Sequence, residues 1–260
     1  MIASILEWLT SSATWSGDTG LGARILQHLW YSVLAVGIAA VIAVPLGLWV
    51  GHTGRAKWLV SLANSLRAVP TLGLLFAVAL WLGPKIQSDL AFLIPSVVVL
   101  VILVIPPILS GVYAGVEAVD PATRDAARGM GMRGSEIVLQ VEIPNAMPLI
   151  LSGLRSAFLQ VIATATVAAY IGLGGLGRYL VDGIKTGDYV STAGGALVVS
   201  VLALVVDGVL AIVQRLVVSP GLTGGRSGRA RRGRRNPELA NSSSRAGMSG
   251  ADGGVDSDAT

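Results

Sequence analysis

Five apolar runs, separated by short polar stretches, dominate the chain. They cover residues 25–50, 58–82, 90–116, 146–171 and 190–218. A bilayer core about 30 Å thick needs about 20 apolar residues in a helix that rises 1.5 Å per residue. Each run meets that length, so the pattern predicts an all-α membrane protein, a helical bundle of five spans. Every run also contains breakers, among them Pro45 with Gly47, Pro70, Pro106 with Pro107, and Gly194 with Gly195. Backbone groups freed at such positions must be satisfied by neighbouring helices. The runs are therefore expected to pack together as irregular helices rather than to serve as anchors.

The two ends differ from this pattern. In residues 1–24, Ile2, Ile5, Leu6 and Leu9 recur at helical spacing beside Trp8, and no basic stretch precedes a long apolar run. A secretory signal is not expected. An interfacial helix outside the membrane and a frayed terminus both fit. Residues 25–218 form the membrane domain. Residues 219–260, rich in Gly, Ser, Arg and Asp, cannot build a core and are expected to be a disordered cytoplasmic tail. Its cluster Arg229, Arg231, Arg232, Arg234 and Arg235 reads as a solvated topogenic tail or a contact to lipid headgroups.

Composition narrows the class. Of 260 residues, 53% are hydrophobic and 13% charged, with mean hydropathy +0.70. Soluble domains carry about 25% charged residues, so an integral membrane protein is expected and most soluble-enzyme readings drop out. The absence of Cys removes disulfides, thiolate metal sites and a cysteine nucleophile, and His28 and His52 are too few for a metal cage. The net charge of +4 is uneven: residues 1–220 hold 12 basic against 11 acidic side chains, whereas residues 221–260 hold 7 Arg against 4 acids. The basicity therefore bears on topology, and no nucleic-acid partner is expected. With the tail inside, Arg55, Lys57, Arg124, Arg128 and Arg133 are also cytoplasmic, and Arg24, Lys85, Arg178 and Lys185 lie outside. That places the N-terminus outside a multi-pass protein of the bacterial inner membrane.

The longest connection, residues 117–145, reads EAVDPATRDAARGMGMRGSEIVLQVEIPN. Asp120-Pro121 suits a helix start, with an acceptor cap and Pro at the first position. Good helix formers follow to Arg128, and Gly129, Gly131 and Gly134 then interrupt them. A second short helix is expected over 135–142, with Ser135 as its cap and Pro144 as its stop. The prediction is two short amphipathic helices joined by a glycine corner on the cytoplasmic face.

Within this loop, Asp125-Ala126-Ala127, three residues, Gly131, nine residues, Val141, one residue and Ile143-Pro144 resemble the EAA loop of ABC importer permeases. The family pattern is Glu-Ala-Ala, three residues, Gly, nine residues, Ile, one residue, Leu-Pro. Asp here replaces Glu, and two aliphatic residues are exchanged for others. The resemblance implies a type I importer permease whose loop lies in a groove of a cytoplasmic ABC ATPase. Gly131 would make the corner, Ala126 and Ala127 would allow close approach, and Asp125 would face basic or amide groups. It further implies a second permease subunit, identical or homologous, and an extracytoplasmic substrate-binding protein, besides membrane lipids. No cofactor is expected in this chain, ATP and Mg being bound by the partner, and the chain itself is not an enzyme.

The resemblance extends over about residues 27–210. The stretches Leu66-Arg67-Ala68-Val69-Pro70-Thr71-Leu72, Arg128-Gly129-Met130-Gly131-Met132 and Ile171-Gly172-Leu173-Gly174-Gly175-Leu176-Gly177 look like those of importers for quaternary-amine osmoprotectants: glycine betaine, choline and carnitine. Methionine-type and other amino-acid importers share the five-span plan and stay open as an alternative.

Gly172, Gly174 and Gly177 spell G-x-G-x-x-G, but a dinucleotide site needs a preceding strand. Here a membrane span precedes, so a tight turn at its outer end is predicted. No G-x-x-x-x-G-K-[ST] occurs, which moves nucleotide binding to another subunit. Arg67, Arg155 and Asp207 fall inside predicted spans, roughly 14–17 Å from their cytoplasmic ends at 1.5 Å per residue. Either Asp207 pairs with Arg155 or Arg67, or the helices protrude and all three lie near the headgroups. Ala157, Ala163, Thr164, Ala165, Thr166, Ala168 and Ala169 make the fourth span small-sided, which suits close helix contact or contact with substrate. Pro70, Thr71, Thr164 and Thr166 are the candidate pathway positions. A secondary transporter would need more membrane carboxylates and internal repeats. A membrane scaffold would leave the 125–144 spacing unexplained.

Overall fold

The structure, a computed structural model, describes residues 1–218; the predicted tail and its Arg cluster lie outside the described residues. The elements in chain order are α1 (Ile2–Thr10), α2 (Ser12–Trp15), α3 (Leu21–Thr53), α4 (Trp58–Ser65), α5 (Thr71–Leu82), α6 (Leu93–Glu117), α7 (Pro121–Gly129), α8 (Gly134–Ile137), α9 (Ile143–Ala168), α10 (Gly177–Thr186) and α11 (Tyr189–Val217). Four stretches are long and apolar enough to cross a membrane: α3, α6, the run Gly134–Ile171 and α11. The second predicted span is broken instead of straight. Its halves, Trp58–Ala68 and Thr71–Lys85, meet at 94°. Pro70 is the cause: it bars Val69 from helical geometry, and Val69 is extended at φ −73°, ψ 128°.

A second expectation also fails. Pro144 does not stop the helix that begins at Gly134; the run continues for 38 residues to Ile171. Residues Val138–Glu142 form one widened turn in which the Ile143 N–H bonds the Val138 carbonyl five residues back. The extra residue per turn accommodates the Pro144 ring and its missing donor without ending the helix. The loop therefore holds one short helix, α7, and the N-terminal part of a helical run long and apolar enough to cross a membrane.

α6 is the centre of the bundle, packed on α3 along one side and on α9 along the other. Both contacts rest on glycine. A Cβ on Gly47 or Gly51 of α3 would fall 2.7 Å from Val112 or Val116 of α6. Gly111 of α6 and Gly153 of α9 face each other so closely that a Cβ on Gly111 would sit 2.7 Å from the Gly153 Cα. Such crossings draw their stability from backbone-close van der Waals packing. α6 also carries Pro106 and Pro107, and Pro107 has no N–H for the Leu103 carbonyl. Gln160 of α9 supplies the donor from its side-chain amide, 2.7 Å from that oxygen. Buried His28 of α3 donates from Nε2 to the Ile162 carbonyl of α9 at 3.0 Å. α1 lies against α11, its Trp8 ring over Gly194 and edge-to-face with Tyr179 at 5.3 Å.

The glycine-rich stretch after α9 is a turn, not a strand-to-helix loop. A tight helical turn over Ala169–Ile171 ends the long helix, and Gly172 and Gly175 take φ of +101° and +84°. Gly177, where a Cβ would meet the Thr166 carbonyl at 2.3 Å, opens α10 against α9.

Candidate functional site

The loop is built from its caps inward. Asp120 accepts from the Ala122 N–H at 2.9 Å and Pro121 begins α7. After α7 the Met132 N–H bonds the Ala127 carbonyl at 3.2 Å, a reversal that requires Gly131 at φ +85°. α8 then starts at Gly134, with Glu136 accepting from the Arg133 N–H at 2.6 Å. Arg133, not the expected Ser135, holds the cap position.

This geometry divides the EAA-like motif in two. Asp125, Ala126, Arg128, Gly129, Met130 and Gly131 are exposed at the tip, while Ala127 is buried beneath them. Met130, 76% exposed, gives the tip an apolar point, and Asp125 bears a 3.2 Å pair to Arg128. Val141, Ile143 and Pro144 belong to the helical stem below, where the first two are half-buried. The tip is exposed, and the stem runs on into α9.

The stem is braced by an ionic cluster that the sequence pattern did not single out. Glu142, in the widened turn, is wholly buried. Its Oε1 lies 2.8 Å from Nε of Arg124 on α7, and its Oε2 accepts from Nδ1 of His52 at the end of α3 at 2.9 Å. The Arg124 contact lacks hydrogen-bond alignment, so it acts as charge on charge. A second Arg124 nitrogen donates to the Val116 carbonyl of α6. One carboxylate thus joins α3, α7 and the α8–α9 run, and Arg124 adds α6. The signal was present as a lone acid in the apolar stretch VLQVEIP, but its partners lie too far away in sequence to be paired by spacing. Nearby, exposed Lys57 and Glu117 pair at 2.8 Å. That bond holds the Lys57 ammonium above its ordinary range.

Within the spans, Arg155 of α9 grips Asp207 of α11 with two parallel bonds, 2.5 Å from Nε and 2.6 Å from the terminal nitrogen. Arg67 is not brought to this pair: it is exposed in the turn that ends α4. Pro70 and Thr71 sit at the break between α4 and α5, Pro70 exposed and Thr71 half-buried. Thr164 and Thr166 bond back onto the Gln160 and Ile162 carbonyls of their own helix at 2.9 and 3.1 Å. Ala157, Ala165, Ala168 and Ala169 are fully buried, as a small-sided packing face requires. Among the described residues no group of three or more His, Asp or Glu could hold a metal ion.

Residues 43–219 match the family model described as binding-protein-dependent transport system inner membrane component. The glycine betaine/carnitine/choline transport system permease protein OpuCB of Bacillus subtilis is 34% identical over 201 residues, covering 76% of this chain and 88% of that one. The osmoprotectant import permease protein OsmW of Salmonella typhimurium is 35% identical over 203 residues, covering 78% and 94%. Among solved structures, a chain of the inward-facing MetNI methionine ABC transporter superposes with a TM-score of 0.66 at 20% identity, over 76% of this chain and 96% of that one. At that identity the likeness is one of fold.

Proposed function

Since the chain belongs to the family of binding-protein-dependent transport system inner membrane components, we propose that it is the permease through which a bacterial ABC importer takes up quaternary-amine osmoprotectants. The substrate class is read from relatives at 34% and 35% identity, one a glycine betaine/carnitine/choline permease protein and the other an osmoprotectant import permease protein. The likeness to the methionine system concerns the fold.

The observation that carries the mechanism is the exposed tip Asp125–Gly131 on a stem braced by Glu142. The tip is the docking element for a separate cytoplasmic ATPase, which binds ATP and Mg. Two permease subunits form the pathway and an external binding protein delivers the substrate. The loop and the C-terminus face the cytoplasm, and the N-terminus faces outward. When nucleotide draws two ATPases together, each tip is carried with its ATPase. The stem and the ends of α3 and α6 follow through the Glu142–Arg124 cluster. A two-state cavity biased in this way turns from inward- to outward-facing, and hydrolysis resets it.

Co-purification and uptake test the reading together. The ATPase should detach from Gly131→Trp or from a chain lacking residues 122–134, while binding-protein-dependent uptake of glycine betaine, carnitine or choline by the unaltered complex should exceed that of methionine. An ATPase that stays bound to both variants overturns the docking assignment, and preferred methionine uptake overturns the substrate class.

A further inference from the structure

α6 runs from the docking loop at Glu117 to the opposite end of the bundle, where a cleft of about 560 Å³ opens. Three separate segments line it with aromatic rings: Phe76 of α5, Phe92 ahead of α6, and Tyr170 in the turn that ends α9. Leu80 and Pro84 add aliphatic wall, and Arg178 at the start of α10 supplies a guanidinium. Local geometry sustains this arrangement. Gly172 holds φ +101°, and a Cβ there would meet the Phe92 ring at 3.1 Å, so only glycine lets that ring lie against the turn. Arg178 is steadied by Asp182 at 2.8 Å and by the Ala169 carbonyl at 3.5 Å, with its side chain one-third exposed. A guanidinium carries five donors, so these two contacts leave donors free at the cleft.

Two chemistries therefore stand side by side. A quaternary ammonium has no N–H to donate; aromatic faces and apolar walls are what attract it. A carboxylate needs charged donors, and a guanidinium fork is the geometry that fits it. The cleft is mainly apolar, with rings from three segments and one arginine. It fits a small zwitterion, its trimethylammonium end against the rings and its carboxylate on Arg178. We propose that this cleft is a substrate site of the permease itself, selective for carboxylated quaternary amines such as glycine betaine and carnitine over choline, which has the cation but no carboxylate. The proposal rests on the substrate class and orientation given above, which make this the face where an external binding protein unloads.

The test uses the complete permease–ATPase complex in vesicles of phosphatidylethanolamine and phosphatidylglycerol, free of choline lipids, without binding protein. Equilibrium binding of radiolabelled glycine betaine, carnitine and choline is measured. Arg178→Gln should weaken the two carboxylated ligands about tenfold or more, the scale of a lost charge-assisted bond, and leave choline within about twofold. Phe92→Leu with Tyr170→Leu should weaken all three, and Arg178→Lys should fall between wild type and Arg178→Gln. A size-exclusion profile and a thermal unfolding midpoint equal to those of the wild-type complex certify folding. No saturable binding to the wild type, or an equal effect of Arg178→Gln on all three ligands, overturns the site. Binding-protein-dependent uptake keeps the two readings apart. Uptake that proceeds without any Arg178 effect sinks only the site, whereas no uptake of any of these amines by the wild type sinks the substrate class itself.

Discussion

Glu142 and His52, ninety residues apart, meet at 2.9 Å, with the carboxylate fully removed from solvent. The contact fixes the C-terminal end of α3 to the stem below the exposed loop tip, and Arg124 closes the cluster from α7.

A buried charge left without its partner is strongly destabilising, whereas loss of both charges is far milder. Glu142→Gln and Arg124→Met are each expected to cost about 3–5 kcal/mol, and the double variant less than their sum. Thermal unfolding of the purified complex measures this; strictly additive losses would show that the two side chains do not act as a pair.

The Arg155–Asp207 grip joins α9 to α11. Asp207→Asn and Arg155→Gln should each reduce uptake, and the double variant should be no worse than either. Arg67→Gln, outside the pair, should leave the α9–α11 contact intact. Cross-linking between those helices reads the contact directly, and independent losses of uptake in the first two variants would refute the pairing.

Gln160 is expected to matter only because Pro107 exists. Gln160→Leu leaves the Leu103 carbonyl unpaired and should cost about 1 kcal/mol. In a Pro107→Ala background the restored backbone N–H takes that carbonyl, and the same substitution should become nearly neutral. A cost that persists in the alanine background contradicts the assignment.

At the α6–α9 crossing, Gly153→Val must push the helices apart, because its Cβ would stand 2.8 Å from the Pro107 carbonyl. Overpacking of this kind costs about 1–3 kcal/mol. Gly208→Ala on α11, where a Cβ meets nothing within 4 Å, is the matched control and should leave thermal stability unchanged.

Apolar length alone was enough to locate α3, α6 and α11, because a bilayer demands about 20 apolar residues and little else. The motif from Asp125 to Pro144 was legible because its spacing resembles that of the EAA loop. What escaped depends on contacts across the fold. Pro144 reads locally as a stop, but a widened turn absorbs it. Pro70 reads as a kink, but the 94° angle at which α5 leaves it to pack on α6 and α9 is not a local property of the sequence. Glu142 stands out in sequence only as a lone acid in an apolar stretch, and folding alone brings His52 and Arg124 around it. Thr164 and Thr166, chosen as polar residues in a span, spend their hydroxyls on their own helix.

The unbroken run from Gly134 to Ile171, about 57 Å long at 1.5 Å per residue, is a single lever. The stem below the exposed loop tip forms one arm, and Tyr170, at the wall of the aromatic cleft, tips the other. Gly153, where α6 touches most closely, lies at its midpoint and serves as the fulcrum. A tilt about that point moves the two ends in opposite senses by nearly equal amounts. Under the proposed function, engagement of the ATPase at one end and the width of the cleft at the other become a single mechanical variable, and a substitution that bends the lever anywhere along its length disconnects them without touching either end.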